Sequence, residues 1–328
     1  MAKPGPNNAL TDVAGLQVGH AHDAGIKTGT TVILPDRAAT AAVAVAGGGP
    51  GTRETDLLRA GNMVDHVDAI VLSGGSAFGL GAADGVAGML CADGRGFGLV
   101  DRPGVPKTPI VPAAILYDLA NGGDKDWGAS PPYAALGQAA YAAASNRPEL
   151  GRVGAGFGAQ AGSHPGGIGT ASIVTHDGMT IAALAAVNAF GSVYMPGTDV
   201  FWAWPFEIEN EFGGQRPGSD YRSGAEDWGD AKSNPALGEN TTIACIATDA
   251  DLTPSETQRV ASMALAGFAR AIRPVFAPFD GDVAFVLSTA KRPLPEPRPH
   301  SLARIGECAA STLARAIARG VWHARGKD

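Results

Sequence analysis

The chain has 328 residues, of which 45% are hydrophobic and 17% are charged, and its formal net charge is −7. A chain of this size and composition buries one large core or two ordinary ones, which excludes a disordered protein. Because no segment concentrates lysine and arginine, the electrostatic signature of nucleic-acid binding is missing, and we expect no nucleic-acid partner.

The first twenty residues contain no long apolar run behind a basic patch. They predict neither a signal peptide nor a membrane span, and a cytoplasmic location without membrane partners is the default expectation. Cys91, Cys245 and Cys308 lie far apart, so we expect reduced core cysteines. His20 and His22 could share one face of a strand, but no third ligand is evident, and we predict no metal site.

The first predicted elements are strands over 30–34, 41–46 and 69–72, where apolar and β-branched residues run together and stop at turn residues. The third strand meets the Gly- and Ser-rich turn 73–80. A helical stretch rich in alanine and glycine follows this turn to about residue 90.

The middle of the chain continues with a predicted strand over 110–117 and a helix over 132–144. Between 151 and 169, frequent glycines favour loops packed against other backbone. Strands resume at 171–174 and 180–187.

A change of character follows over 194–235, where aromatic residues occur among glycine, proline and acids with little periodicity. We interpret it as a long functional excursion. The run 241–250 is apolar enough for a buried strand. Thr253 and Glu256 then supply a capping box for a predicted helix over 254–272.

The last elements are two apolar runs that flank Asp280, Gly281 and Asp282, which predicts a turn between strands, and a closing helix over 302–321. Strands and helices intermix without strict alternation. The pattern therefore favours a mixed α/β sandwich over a parallel doubly wound sheet.

Seven sequence blocks, in this order, carry a resemblance to one known family. They are LTDVAGLQVGH at 10–20, GGGPGTRETDLL at 47–58, AIVLSGGSAFGL at 69–80, VGAGFGAQAG at 153–162, GGIGTAS at 166–172, GENTTIACIATDA at 238–250 and PFDGDVAF at 278–285. The chain resembles the self-processing aminopeptidases typified by L-aminopeptidase D-Ala-esterase/amidase, β-peptidyl aminopeptidase and the nylon-oligomer hydrolase. The blocks span almost the whole chain.

The resemblance implies an αββα sandwich with mixed sheets and one catalytic domain over 1–328. It further implies self-cleavage into fragments 1–240 and 241–328 that stay together. Family members assemble as homo-oligomers of such αβ heterodimers, and a tetramer is favoured. No metal or organic cofactor is implied.

The same resemblance implies that the cut falls between Asn240 and Thr241 and that Thr241 is the nucleophile. The Thr241 hydroxyl attacks the Asn240 carbonyl, and water opens the resulting ester and leaves a free amine. An α-amino group has a pKa of about 7.7–8.0, so its neutral form can take the hydroxyl proton. Without the resemblance, Thr241 is an ordinary strand threonine.

Four further residues match family site positions. The resemblance implies that Asn188 and Tyr117 act near the nucleophile or the oxyanion, and that Asp280 and Asp282 orient or charge the amine. On sequence alone, these residues would be a turn asparagine, a half-buried core tyrosine and the acids of an Asp-Gly turn. A Thr nucleophile with an Asp-Gly-Asp segment is similar to the nylon-oligomer hydrolase branch.

One departure concerns a lysine, because family lysines near this point are replaced by Ser163 and Pro165. A cationic helper is missing there, although Ser163 or His164 could take its place. The departure leaves the substrate range open.

The leading functional hypothesis is amide hydrolysis on ω-amino-acid oligomers such as 6-aminohexanoate chains, or on small peptides and amino-acid amides. The alternative is an exo-acting L-aminopeptidase/D-esterase or β-aminopeptidase. A third hypothesis is a family member that has lost catalysis, which the presence of Thr241 and Asn188 disfavours. A nucleotide-binding protein ranks low: GFGAQA at 156–161 approximates the glycine fingerprint, but the sequence after it continues as loop.

Overall fold

The computed structural model of the chain describes residues 2–100, 102–233 and 240–326. In these ranges the strands are β1 (Leu16–Asp23), β2 (Thr28–Pro35), β3 (Ala39–Val45), β4 (Thr52–Arg53), β5 (His66–Val67), β6 (Ile70–Ser73), β7 (Ala113–Ile115), β8 (Gln160–Ala161), β9 (His164–Pro165), β10 (Gly167–Val174), β11 (Thr180–Asn188), β12 (Thr241–Ala250) and β13 (Val283–Arg292). The α-helices are α1 (Ala82–Ala92), α2 (Tyr133–Ala142), α3 (Pro254–Ala264), α4 (Ala266–Ala269) and α5 (Arg298–Ala324).

The longer strands form two sheets. One has the order β1-β2-β6-β7-β4 and the other the order β10-β11-β12-β13-β3-β5, while β8 and β9 form a separate hairpin. Both large sheets are mixed, because β6 runs parallel to β7 and β12 runs parallel to β13, whereas neighbours such as β11 and β12 are antiparallel.

Three apolar clusters separate four layers. The central cluster lies between the two sheets and contains Ile33 and Leu72 from one sheet and Cys245 and Phe285 from the other. A second cluster joins α1 and α2 to the outer face of the five-stranded sheet. The third joins α3, α4 and α5 to the outer face of the six-stranded sheet. The layer order is αββα, and the predicted fold is confirmed.

Helix α3 begins as predicted. The Thr253 side chain accepts from the Glu256 amide, and the Glu256 carboxylate accepts from the Thr253 amide. The helix ends earlier than expected, at Ala264, and the short helix α4 follows. A Cβ on Gly267 would lie 2.5 Å from the carbonyl oxygen of Ala310, so α4 approaches α5 more closely than a larger residue allows.

Two sequence expectations are wrong. The strand predicted over 110–117 is only three residues long. The run before Asp280 forms no strand, so 280–282 is not a hairpin turn. These residues lie instead against 46–49: the Ala46 amide donates to the Asp282 carbonyl, and the Gly49 amide donates to the Asp280 carbonyl. Close backbone contact therefore replaces regular pairing.

The lack of regular structure predicted over 194–235 is confirmed for the described part, up to residue 233. Its helical content is one 3-10 turn, Trp204–Phe206. Its Glu211 makes a buried ion pair with Arg315 of α5, which fixes the excursion to the core. No helix in the described ranges is both long and apolar enough to cross a bilayer.

Candidate active site

Three predicted site residues meet at one end of the six-stranded sheet. Thr241 is the first residue of β12 and pairs across the sheet with Asn188, the last residue of β11. On the other side, Asn240 bridges to Asp280 just before β13. Thr241 is only 3% exposed. The sheet register thus places the buried Thr241 between the end of β11 and the segment that contains Asp280.

The carbonyl of Asn240 receives two donors. The Thr241 hydroxyl donates to this oxygen, and the Gly281 amide donates to it at 2.9 Å. A Cβ on Gly281 would lie 2.6 Å from the Thr241 hydroxyl oxygen, so the close approach requires glycine. A hydroxyl and a backbone N–H therefore converge on the peptide group that precedes Thr241.

The side chain of Asn240 is fully buried, yet neither its oxygen nor its nitrogen has a hydrogen-bond partner within the described residues. The Asn240 side chain therefore has hydrogen-bonding capacity that no described residue takes up.

Asp280 and Asp282 are held mainly by backbone donors. Asp282 accepts from the Thr242 amide at 2.7 Å and from the Phe276 amide at 3.3 Å. Asp280 accepts from the Ala277 amide at 2.9 Å through one oxygen. Its other oxygen is buried and faces the Phe190 amide, which also favours the carboxylate form. This second oxygen can accept a further donor.

The two carboxyl groups are electrostatically linked. Burial raises the pKa of Asp282, and the neighbouring Asp280 carboxylate raises it further. Burial also raises the pKa of Asp280, while the Ala277 amide and the charge of Lys232 oppose this rise. Two acids this close and this buried favour a cation beside them.

Asn188 also contacts Tyr117, but it binds the backbone of Tyr117 and not the phenol. The Asn188 side-chain oxygen accepts from the Gln160 amide at 2.9 Å, and its nitrogen donates to the backbone carbonyl of Tyr117 at 3.0 Å. Both residues line a cavity of about 180 Å³, together with Asp118, Gln160 and Lys232 among others. A larger open trough of about 810 Å³ lies elsewhere and contains none of the predicted site residues.

Sequence reasoning missed Lys232. Its Nζ donates to the carbonyl oxygen of Asn188 at 3.4 Å, beside the nucleophile position. The segment reaches this point because the Ser163 amide donates to the Asp230 carbonyl at 2.8 Å. The segment that carries Lys232 therefore contacts the β8–β9 hairpin, in which Ser163 and Pro165 stand in place of the family lysines. Nothing in the aperiodic sequence around it signals this position.

The structure also bears on the ligand hypotheses. No three His, Cys, Asp or Glu side chains come together as a metal site in residues 2–100, 102–233 and 240–326. His20 is partly buried; desolvation, followed by the neighbouring His22, lowers its pKa to about 4, and its Nδ1 pairs with Thr31. The GFGAQA segment begins at the last residue of the 3-10 turn Gly154–Gly156 and ends in β8, and no helix opens there. The glycine fingerprint of a dinucleotide site is therefore not realised.

Solved structures define the class of fold. A β-aminopeptidase from Burkholderia sp. superposes with a TM-score of 0.71 at 24% identity, covering 98% of this chain and 88% of that one. The L-aminopeptidase D-Ala-esterase/amidase from Ochrobactrum anthropi gives 0.69 at 22% identity, covering 98% and 87%. The latter is described as a variant of the Ntn hydrolase fold, so this chain has an Ntn-hydrolase-like fold.

Sequence relatives define the family. The family model of Peptidase family S58 matches residues 8–327. An uncharacterised aminopeptidase from Mycobacterium tuberculosis is 40% identical, covering 97% of this chain and 94% of the relative. A 6-aminohexanoate-oligomer endohydrolase from Paenarthrobacter ureafaciens is 30% identical, covering 87% and 76%. The chain belongs to Peptidase family S58 and is an amide-bond hydrolase, as the sequence blocks predicted.

Proposed function

We propose that the chain cuts its own peptide bond between Asn240 and Thr241 and then uses Thr241 as an N-terminal nucleophile to hydrolyse amides. The observation that carries the proposal is the convergence of the Thr241 hydroxyl and the Gly281 amide on the Asn240 carbonyl oxygen. Cleavage would leave 240 residues in one fragment and the remaining 88 of 328 in the other.

The self-cleavage step follows from this geometry. The Thr241 oxygen adds to the Asn240 carbonyl carbon, and the Gly281 N–H stabilises the negative charge on the carbonyl oxygen. The C–N bond then breaks, the hydroxyl proton moves to the nitrogen, and an ester joins Asn240 to the Thr241 side chain. Water hydrolyses this ester and leaves an α-carboxyl on Asn240 and a free amine on Thr241.

The released amine has a defined destination. The Asp280 carboxylate can accept from the protonated amine, and the burial that raises the pKa values of Asp280 and Asp282 makes a cation here favourable. Asp282 holds the Thr242 amide and so positions the start of β12. In the neutral form, the same amine is the base that takes the Thr241 hydroxyl proton in each turnover.

For substrates, we propose small peptides and amino-acid amides. The cavity beside Asn188 has a volume of about 180 Å³, which suits a small acyl residue. The 40% identity to an uncharacterised aminopeptidase supports the same choice. A Thr nucleophile with an Asp-Gly-Asp segment, and the 30% identity to an oligomer endohydrolase, favour 6-aminohexanoate oligomers as the second candidate.

Product analysis on free and N-blocked substrates separates the two candidates. An exo-acting aminopeptidase releases N-terminal residues from free peptides and leaves N-acetylated peptides intact. An endo-acting hydrolase cuts N-acetylated 6-aminohexanoate oligomers at internal bonds. Equal cleavage of free and blocked short peptides would contradict the aminopeptidase proposal.

Assembly as a homo-oligomer of αβ heterodimers, with a tetramer favoured, remains our prediction, as does one catalytic domain in the cytoplasm. Exposed apolar side chains support assembly: Met63 and Leu99 are each 79% exposed. Covering such a surface is a common reason for association. Light scattering during size-exclusion chromatography tests it, and a mass of one heterodimer would contradict it.

Intact-mass spectrometry tests self-cleavage. The 33.1 kDa chain, divided in proportion to 240 and 88 residues, gives fragments of about 24 and 9 kDa. We expect both fragments in the parent, with the smaller beginning at Thr241, and one full-length chain in Thr241→Ala. The matched control is Thr242→Ala, which alters the next buried threonine and should still cleave. An uncut, active parent would overturn the proposal.

A further inference from the structure

We infer that Lys232 is a positioning residue of this site: its ammonium group holds the Asp280 side chain as a carboxylate while the chain is uncleaved, so that Asp280 can capture the amine that cleavage releases. The inference deepens the proposed function and rests on it. It assigns a role to a lysine that lies in the aperiodic excursion and matches none of the sequence blocks.

Two contacts place the lysine. The Lys232 amide donates to the Phe190 carbonyl at 3.0 Å, and its Nζ donates to the Asn188 carbonyl at 3.4 Å. Asn188 is the direct cross-strand partner of Thr241, and such Cα atoms lie about 4.5–5.5 Å apart. The lysine therefore spans the end of β11 with its charge next to the nucleophile strand.

Aromatic packing connects the lysine segment to Asp280. The Phe190 ring lies edge-on to Phe279 at 4.7 Å and to Trp228 at 6.0 Å. Phe279 immediately precedes Asp280, and Trp228 is four residues before Lys232. One aromatic side chain thus holds the lysine segment and the aspartate segment against each other.

Among the described residues, two charged groups act on Asp280, and the Ala277 and Phe190 amides add hydrogen bonds to it. Asp282 is the adjacent acid, and each carboxylate disfavours the charge on the other. Glycines 47–49 contribute only backbone to the contact. Lys232 supplies the positive charge that opposes the effect of burial on the Asp280 pKa. Before cleavage the nitrogen of Thr241 is an uncharged amide, so Lys232 acts there before any amine exists.

The charge on Asp280 affects whether the cleavage step proceeds or reverses. Transfer of the acyl group from nitrogen to oxygen gives a neutral amine, which takes one further proton from solvent and becomes an ammonium group. An ionised Asp280 stabilises this ammonium and so disfavours its return to the amide. A protonated Asp280 cannot do so. The rate of self-cleavage should therefore follow the ionisation of Asp280.

The test is a pH profile of self-cleavage for the full-length chain, made by cell-free synthesis and transferred to buffers between about pH 5 and 9, with mass spectrometry of the fragments over time. Lys232→Met should move the acidic limb of the profile to higher pH. If the limb moves by about one pH unit, the cleavage rate on its acidic side falls about tenfold. Lys232→Arg keeps the charge and should restore the limb.

The matched control is Lys291→Met. Lys291 pairs with Asp36 and lies roughly 25 Å along β13 from the start of that strand. This variant should leave the profile unchanged. Carbon-13 NMR of Asp280 in the uncleavable Thr241→Ala background gives a second readout, since adding Lys232→Met should raise the pKa of Asp280.

The outcomes are distinct. An unchanged profile in Lys232→Met, or equal slowing at every pH that Lys232→Arg does not relieve, would assign the lysine a merely structural role and overturn the inference. A parent chain that never cleaves at any pH would instead overturn the proposed function. The NMR measurement uses the uncleavable Thr241→Ala background. It therefore tests the electrostatic role of Lys232 even if Lys232→Met impairs the folding of the self-cleaving chain.

Discussion

Gly281 shows how much of the chemistry depends on single atoms. Its N–H contacts the Asn240 carbonyl, and the absence of a side chain leaves room for the Thr241 hydroxyl. An Asp-Gly-Asp segment by itself suggests a simple turn. The structure shows that its glycine touches both partners of the proposed cleavage step.

Gly281→Ala should abolish self-cleavage or slow it at least about a hundredfold. The new methyl group would lie 2.6 Å from the Thr241 hydroxyl oxygen, so either this hydroxyl or the residue 281 backbone must move away from the Asn240 carbonyl. Losing the contact of one oxyanion donor costs about 10²–10³ in rate. Gel analysis of freshly made protein measures it. Gly88→Ala in α1, where a Cβ meets nothing within 4 Å, is the control. Parent-like processing of Gly281→Ala would contradict the assigned geometry.

The buried acids predict a pH dependence of stability. Burial raises the folded-state pKa of Asp282 above its unfolded value of about 3.9, so the folded protein binds the proton more tightly. The contribution of Asp282 to the free energy of unfolding should therefore be largest at or below about pH 4. It should be lost as pH rises through the raised pKa. Uncleaved Thr241→Ala should show this fall in its melting temperature.

Asp282→Asn in the Thr241→Ala background should flatten that dependence, because the replaced side chain does not titrate. The cleaved parent should also show a weaker fall, since its new amine supplies a cation near the acids. An unchanged slope in Asp282→Asn would show that other groups cause the pH dependence.

The sequence predicts the chemistry of the site only in part. Thr241 and Asp280 are candidates because they lie in blocks that resemble a family, and Asn188 because it matches a family site position; the register places all three together. Lys232 could not be assigned, because its position depends on contacts between the excursion and β11 that no local pattern encodes. Tyr117 was assigned by resemblance, but it contacts Asn188 through its backbone.

At the scale of elements, hydrophobic periodicity predicted correctly those elements whose burial or capping is visible in their own sequence. The strand predicted over 241–250 matches β12, and the capping box at Thr253 marks the start of α3. The apolar run at 274–279 predicts a strand that the structure does not form. Its backbone groups near Asp280 are taken by the glycine segment 47–49, a long-range contact that sequence periodicity does not reveal.

Helix α5 lies directly on β10, and this contact predicts a stability effect. A Cβ on Gly169 would lie 1.9 Å from the Ala316 carbonyl oxygen and 2.3 Å from the Gly320 nitrogen. Gly169→Ala should lower the free energy of unfolding by about 1–3 kcal/mol, because the helix must move away from the sheet. Denaturant unfolding of the uncleaved chain measures it, and a change below about 0.5 kcal/mol, the range of neutral surface substitutions, would contradict the close packing.

At the scale of the whole molecule, a buried ion pair joins parts far apart in sequence. Arg315 of α5 is 0% exposed and donates to Glu211 of the excursion at 2.9 Å. The same guanidinium donates to the side chain of Asn8 and to the backbone carbonyl of Ser172. The αββα class could be predicted from the order of the sequence blocks. This connection could not, because it depends on where the excursion folds back.

Glu211→Gln should destabilise the protein by about 3–5 kcal/mol, because it leaves the Arg315 charge buried without its acid. Thermal unfolding gives the measurement. The double variant Glu211→Gln/Arg315→Met removes one of the two buried guanidinium groups that pair with Glu211, leaves Arg319, and should recover part of the loss. Glu307→Gln, which removes an exposed acid paired with Arg270, is the control and should have a small effect. Equal melting temperatures for Glu211→Gln and the parent would contradict a structural role for the pair.

The most direct test of the proposed mechanism is covalent trapping of the nucleophile in the processed protein. The purified protein is treated with an activated ester of a small amino acid, quenched at low pH, and the fragments are weighed and sequenced by mass spectrometry. We expect one acyl group on the 88-residue fragment, attached to Thr241, and no acylation in Thr241→Ala. Stoichiometric acylation of another residue, with Thr241 unmodified, would contradict the mechanism.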